Sequence, residues 1–237
     1  MKVETLKIID YISKTATSYS FSSGTNIIVS DGNKIGKSSL VKSIYYTLGF
    51  DIKQFPSGWN VKDKVLQISI KMASGHSHRI TRQGDTYKVD SESTPLNSKD
   101  YSKWFQNILG TDMQLPNTIT KELHLAYSSA LILPFYIDQD DSWDGVTYRG
   151  VSDTLGQYLD VPKGIFEYLF SISDKEVQKL KNELTKLTNK IKNCGDTIYN
   201  LSRVLSGYKE KVSEIPEVQE IDRETKRRNK ALLGYTQ

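Results

Sequence analysis

Apolar residues recur at alternating spacings of three and four through the last third of this chain: Val177, Leu180, Leu184, Leu187, Ile191, Cys194, Ile198, Leu201, Leu205, Tyr208, Val212 and Ile215. This is the repeat of a coiled-coil seam, with Lys, Glu, Asn and Ser between its members. A helix of about 40 residues rises about 60 Å, more than a domain of this size spans, so the segment is expected to project as an arm. The alternative is one long helix packed on its own domain. Ser173-Asp174-Lys175-Glu176 supplies an N-cap and acids for the first turn. Pro216 interrupts the pattern, and Glu217 to Leu233 can resume a helix, with Arg223, Lys226, Arg227, Arg228 and Lys230 among acids.

The second constraint lies near the other end. Thr25-Asn26-Ile27-Ile28-Val29-Ser30 reads as a β-branched strand, Asp31 to Gly36 as a loop, and Lys37-Ser38-Ser39-Leu40 as the start of a helix. A phosphate cradle needs small or flexible residues whose N–H groups turn inward, and a helix N-terminus facing the anion. Asn33, Lys34, Ile35, Gly36, Lys37, Ser38 and Ser39 are the candidate phosphate-binding residues. Lys37 would neutralise the β- and γ-phosphates of a nucleotide, and the Ser38 hydroxyl would ligate Mg²⁺. Leu40, Ile44 and Leu48 recur at helical spacing, Val41 and Tyr45 widen the stripe, and Gly49 can end it. The pattern G-x-x-x-x-G-K-[ST] has one departure, Asp31 in place of its first glycine. A Gly/Lys-rich turn that binds no nucleotide is the competing reading.

With 237 residues, 37% hydrophobic and 25% charged, the chain is long enough for one sizeable core plus something extended. A net charge of +4 permits a nucleic-acid partner without demanding one. The single cysteine, Cys194, excludes an internal disulfide framework. MKVETLKIIDYISK lacks the apolar core of a signal peptide, and no apolar run reaches the length of a membrane span. A cytoplasmic protein without membrane contact is expected.

Between the two features, Val3 to Tyr11 and Tyr19-Ser20-Phe21 with Gly24 suggest a strand pair leading into the cradle strand. Lys64 to Met72 alternates as a strand, and Ser77 to Arg82 with Thr86 to Asp90 suggests a hairpin closing at Gln83-Gly84-Asp85. Ser91 to Lys99 reads as polar loop, Tyr101 to Leu109 as a short helix ending at Gly110, and Asp112 to Thr120 as a connection broken by Pro116. Ala130 to Ile137 is expected to be an apolar strand ending in Asp138-Gln139-Asp140. There Asp138 could close the strand and hold Mg²⁺, or Gln139 could reach the metal and the attacking water from a loop. A buried strand followed by an acidic turn is the plainer alternative.

In the order of these parts the chain resembles the N-terminal half of an SMC-type ABC ATPase head: the strand pair with Phe21 and Gly24, the GKSS loop, a helix ending Tyr46-Thr47-Leu48-Gly49-Phe50, a strand-rich lobe, Gln139, then a coiled-coil arm. The resemblance implies an α/β fold, a P-loop half-head of mixed sheet with an antiparallel lobe and helices. The head would occupy residues 1–172, and residues 173–237 would form the start of the arm and a basic helical segment. It implies ATP and Mg²⁺ as cofactors, with Lys37, Ser38 and Ser39 on phosphate and metal, Gln139 as the metal- and water-sensing glutamine, and Ser13 and Lys14 near nucleotide. No signature motif and no strand ending in Asp-Glu follows the arm; Leu205-Ser206-Gly207-Tyr208 belongs to the seam. Lys34 and Ile35 replace small residues, and Lys53 is the nearest base where many heads carry an arginine.

The implied partners are therefore a C-terminal half-head carrying the signature and Walker B motifs, and a second SMC-like head forming a dimer. DNA is implied too, with a nuclease or accessory subunit left open. Hydrolysis would need both halves, so this chain alone should bind ATP without efficient turnover. Candidate DNA contacts are Lys62, Lys64, Arg79, Arg82 and the basic cluster near the C-terminus. The resemblance points to prokaryotic defence against phages and plasmids, with DNA break repair as the competing role. A stand-alone P-loop kinase or GTPase, and a coiled-coil adaptor whose cradle binds nothing, are the readings of other classes.

Overall fold

The computed structural model describes residues 1–32, 36–90, 94–137, 152–172, 174–213 and 215–234. It divides into two compact units, Met1–Lys179 and Leu180–Gln237.

The first unit is built on a five-stranded antiparallel sheet. Its strands are β1 (Lys2–Asp10), β2 (Thr15–Ser20), β3 (Lys64–Lys71), β4 (Ser77–Gln83) and β5 (Thr86–Val89), in the order β2-β1-β3-β4-β5. Alternation decides which face is covered, because successive side chains point to opposite sides. Leu66, Ile68 and Ile70 of β3 are buried with Leu6 and Ile8 of β1, Ile80 and Arg82 of β4, and Tyr87 and Val89 of β5. Register aligns them: Ile8 faces Leu66, Ile68 faces Ile80, and Arg82 lies between Leu66 and Tyr87. The expected N-terminal strand pair and the hairpin between β4 and β5 are present, the latter turning at Gly84-Asp85 with Gly84 at φ 57°.

Helices α1 (Lys37–Thr47) and α2 (Ser98–Leu109) lie on the covered face, packing on β3 and β4 and on β5 respectively. The helix α2 starts inside the stretch expected to be loop, because the Asn97 side chain accepts the Asp100 N–H and caps it; Gly110 ends it in the left-handed conformation. The most buried face of α1 is not its apolar stripe. Ser39, Lys42, Ser43, Tyr46 and Thr47 are buried, whereas Leu40, Val41 and Ile44 are half-exposed. Small hydroxyl residues let the helix approach closely, and their hydroxyls are satisfied within the helix: Ser43 donates to the Ser39 carbonyl and Thr47 to the Ser43 carbonyl, both at 2.6 Å.

Two expectations are corrected. Thr25–Ser30 belongs to no strand, because among the described residues its main chain has no hydrogen-bonded neighbour and the five places in the sheet are held by other segments. The run from Ala130 is helical: α3 (Ser128–Ile132) continues into a 3₁₀ turn, Leu133–Phe135. Six consecutive residues from Ser128 to Leu133 are buried, a pattern that does not separate a strand from a buried helix, and Pro134 could not donate to a ladder. Around it lie a small hairpin, β6 (Gln114–Pro116) with β7 (Leu123–Leu125), and helix α4 (Val161–Leu169), none of which the sequence pattern signals.

At the far end of β1, Asp10 accepts from the Lys64 ammonium at 2.9 Å and from the Ser13 and Ile12 N–H groups at 3.0 Å each. The Lys64 hydrogen bond, with the backbone donors behind it, holds the Asp10 carboxyl at about 2 against an ordinary 3.8. A carboxyl held low in the folded state stabilises above its unfolded value and loses that contribution as pH falls through the folded one. Thermal melts should therefore drop between pH 4 and pH 2 more steeply for the wild type than for Asp10→Asn. Parallel curves would exclude the pair as a contributor.

Helix α5 (Lys175–Ser213) begins in the first unit and carries the seam; α6 (Pro216–Gly234) follows with Pro216 at its first position, where the missing N–H costs no intrahelical bond. The seam residues Leu180, Leu184, Leu187, Ile191 and Ile198 are exposed, as are Leu201, Leu205 and Tyr208.

Candidate nucleotide site

The N-terminus of α1 forms the described part of the cradle. Gly36 adopts φ 90°, ψ 10°, a conformation open to glycine, and its carbonyl accepts the first intrahelical bond from the Leu40 N–H at 2.9 Å. No side chain caps this end and no acid lies in the first turn. The partial positive charge of the helix end is thus not cancelled by its own residues. Lys37 donates to the Ser30 hydroxyl at 2.7 Å and to the Gly32 carbonyl at 2.9 Å. Both acceptors are neutral oxygens, so neither offsets the charge of the ammonium. Ser38 is half-exposed on the first turn; Ser39 is buried against the sheet side, so what it can offer an anion is its N–H.

Gly36, Lys37, Ser38 and Ser39 are therefore brought together at one helix end, with Ser30 and Gly32 beside them. Asn33, Lys34, Ile35 and Gln139, with Asp138, lie outside the described residues. Ser13 and Lys14 are exposed in the turn between β1 and β2, where Ser13 shares a hydrogen bond with Thr15 at 2.8 Å and Lys14 has φ 55°. Among the described residues no hydrogen bond or ion pair joins them to the cradle. Lys53 is exposed.

The opposite end of α1 is held by residues that the sequence pattern assigns elsewhere or does not mark. Arg82, 2% exposed, donates from Nη1 to the Tyr46 carbonyl at 2.6 Å and from Nε to the Gly84 carbonyl at 2.9 Å. Its guanidinium lies 3.5 Å from the Tyr46 ring centroid, and Asp51 is 3.7 Å away. The Tyr101 hydroxyl donates to the Leu48 carbonyl at 2.9 Å, and burial pushes that phenol well above its ordinary pKa, so it remains a neutral donor. Ser128 donates to the Gly49 carbonyl at 2.7 Å. A cation and hydroxyls at the C-terminus are the groups a helix dipole favours there. Gly49 has φ 101°, and a Cβ on it would stand 2.5 Å from the Ser128 oxygen, so no other residue fits. Tyr45 reaches the 3₁₀ turn, donating to the Phe135 carbonyl at 2.9 Å, with its ring edge-on to Tyr136.

Two of the candidate DNA contacts are corrected by this geometry. Arg82 is a core residue, and Lys64 is buried between Asp10 and the Trp59 ring, 4.7 Å from its centroid. Each sits at an inward register position of an alternating strand, and that position is the sequence signal for its burial. Lys62 and Arg79 are exposed.

The segment leading into the cradle has an open edge. Ile27 is 80% exposed and Val29 81%, and among the described residues no main-chain hydrogen bond pairs Thr25–Ser30 with another segment. The neighbouring stripe Leu40, Val41 and Ile44 is half-exposed, and Phe135 and Ile137 are exposed.

No family model matches the chain. It is 47% identical over 223 residues to the Lamassu protein LmuB of Bacillus sp. (strain NCIM 5461 / CCTCC AB 2011126 / NIO-1130), covering 94% of this chain and 40% of that protein. It is 30% identical over 201 residues to the Lamassu protein LmuB of Bacillus cereus (strain VD014), covering 80% of this chain and 35% of the relative. Among solved structures, a chain from work on ATP-driven dimerization and DNA stimulated activation of SMC ATPases matches with a TM-score of 0.35 and 14% identity, over 47% of this chain and 81% of that one. The chain thus spans about two fifths of the curated relatives it matches, and over nearly all of its own length it is a homologue of the Lamassu protein LmuB.

Proposed function

We propose that this chain is the ATP-binding half of an SMC-like ATPase head, completed by a second half that carries the signature and Walker B motifs. The observation that carries the reading is the open apolar segment Thr25–Ser30 directly before the cradle. A β-branched run whose N–H and C=O groups have no main-chain partner among the described residues, with both Ile27 and Val29 in solvent, is unfavourable alone, and pairing with further strands would satisfy it. The span of two fifths of LmuB is consistent with such a half. A complete single-domain kinase or GTPase gives no reason for this edge or for the exposed seam of α5.

In this reading residues 1–172 form the nucleotide-binding lobe, and residues 173–237 the beginning of a coiled-coil arm. The Gly36–Ser39 turn and the flanking Asn33, Lys34 and Ile35 cradle the phosphates of ATP. Lys37 neutralises them, and Ser38 with Gln139 holds Mg²⁺. Two such heads engage around ATP, each lacking turnover until its partner supplies the missing motifs, and engagement is coupled to DNA. The bacterial Lamassu relatives favour a role in prokaryotic defence over break repair. No helix of the described residues is long and apolar enough to cross a membrane.

Calorimetric titration of Mg²⁺–ATP tests the reading, on the chain alone and co-expressed with the remaining part of a full-length LmuB-like protein. Binding that tightens in the completed protein is expected. Absence of binding in both forms would reject the nucleotide reading and leave the adaptor.

A further inference from the structure

The five-stranded sheet finishes its two edges differently. At one, β5 is covered by the main chain of Leu96, which exchanges hydrogen bonds with Tyr87 at 2.9 and 2.7 Å. At the other, β2 has β1 on one side and no described segment on the other. The Phe21 N–H donates to the Glu4 carbonyl at 2.9 Å, in continuation of the β1–β2 register. Alternation then turns the main chain of Thr15, Thr17 and Tyr19 toward β1, and that of Ala16, Ser18 and Ser20 toward the open side.

Natural edge strands are guarded against pairing by charges, prolines, bulges or a covering segment. Among the described residues β2 has none of these. Thr15-Ala16-Thr17-Ser18-Tyr19-Ser20 is uncharged, pairs with β1 without a register shift, and is exposed at every residue. Apolar surface adjoins it, with Ile9 47% exposed, Tyr11 46% and Ile12 68%.

We infer that the β2 edge is a self-association surface, on which β2 of a second copy of this chain adds antiparallel and continues the sheet. Self-complementarity selects a second copy. With a twofold axis at Thr17, Ala16 faces Ser18 of the other copy and Thr15 faces its Tyr19, so side chains directly opposite share a face of the sheet. Ala16 and Ser18 are residues whose main chains turn outward, and the two copies exchange hydrogen bonds through them. No lysine meets a lysine: across the outer face the row runs Ile9 and Ala16, then Ser18 and Lys7 of the second copy. A foreign peptide on a sheet edge is selected through pockets for its alternate side chains, and Ala16, Ser18 and Ser20 are too small to wall one. A strand of six residues, about 20 Å long, gives an interface at the low end of the size range, under about 1,200 Å² in total, so the association is weak and concentration-dependent. It is distinct from an ATP-bridged engagement of heads and does not rest on the nucleotide reading.

Sedimentation equilibrium of the nucleotide-free chain, from about 5 to 200 µM, tests it. The wild type should pass from monomer toward dimer across that range. Thr17→Lys sets like charges face to face at the twofold axis and should weaken the association at least about tenfold, as should Thr17→Glu. An equimolar mixture of the two joins opposite charges and should associate within about threefold of the wild type. Ser18→Pro removes an outward donor, leaves the pairing with β1 intact and should also weaken the dimer. Circular dichroism checks that each variant is folded. A wild type that stays monomeric overturns the inference, as does a mixture no tighter than its components. Variants that associate like the wild type overturn it too, and move the contact to the exposed seam of α5 or to Thr25–Ser30. A full-length LmuB-like protein whose self-association ignores Thr17→Lys would mean that its remaining part covers the edge, and would also reject it. ATP binding by a monomeric wild type would leave the proposed function standing without this surface; association without ATP binding would do the reverse.

Discussion

Replacing Arg82 by alanine is expected to cost about 3–5 kcal/mol of stability. The guanidinium donates to three main-chain carbonyls, of Tyr46, Gly84 and Phe50, from a side chain that is only 2% exposed. Its loss would remove these charged donors, leaving the Tyr46 carbonyl to the Gly49 N–H and the Gly84 carbonyl to the Tyr46 hydroxyl, and would empty the space between the Tyr46 and Tyr87 rings, against which it stacks at 3.5 and 4.9 Å. In a unit of this size that corresponds to a fall of roughly 10 °C in melting temperature. Arg82→Lys keeps the charge but not the planar fork, and should recover only part of the loss. Urea unfolding of the three proteins gives the comparison. An alanine variant within about 1 kcal/mol of wild type would mean that the network forms without contributing.

The second large effect concerns ligand binding and should leave stability almost untouched. Lys37→Ala is expected to weaken Mg²⁺–ATP binding by about 100-fold or more. An ammonium facing the β- and γ-phosphates at a partly desolvated helix end is worth about 3 kcal/mol, and tenfold in affinity is about 1.4. In the ligand-free cradle the same ammonium meets only the Ser30 hydroxyl and the Gly32 carbonyl, so its removal should cost the fold less than about 1 kcal/mol. Two readouts separate the outcomes: calorimetry for affinity, and melting with and without nucleotide for the ligand's own stabilisation, about 2.7 kcal/mol at a hundredfold excess over Kd. A variant that binds like wild type would remove Lys37 from the site. One that fails to fold would show that Lys37 holds the lobe together rather than the ligand.

Taken together, the two variants divide α1 by function. Its N-terminus presents an uncapped helix end, a glycine and a lysine bound to neutral oxygens. Its C-terminus is fastened by Arg82, Tyr101 and Ser128. A helix anchored at its negative pole can present its positive pole to an anion without reorganising. The hydrogen bond from Tyr45 to Phe135 ties the same helix to the turn that precedes Gln139.

Local signals sufficed wherever structure follows from periodicity or from a residue with special backbone freedom. The seam of α5, the alternation of β3, the hairpin turn at Gly84 and the glycines that bound α1 were legible because each rests on neighbours in sequence. The sequence did not reveal which face of α1 would be buried, since Ser39, Ser43 and Thr47 are polar by composition, and the hydroxyls of Ser43 and Thr47 can turn inward only because they bond to their own helix. Nor did it separate helix from strand over Ala130–Leu133, where every residue is buried and the period vanishes. Tertiary structure alone decided the fate of two basic residues. Lys64 and Arg82 became structural because their register placed them inward, against a carboxylate 54 residues away and a carbonyl 36 residues away. It also left Thr25–Ser30 without a partner, because a strand is stable only through the main chain beside it, and no described segment supplies one.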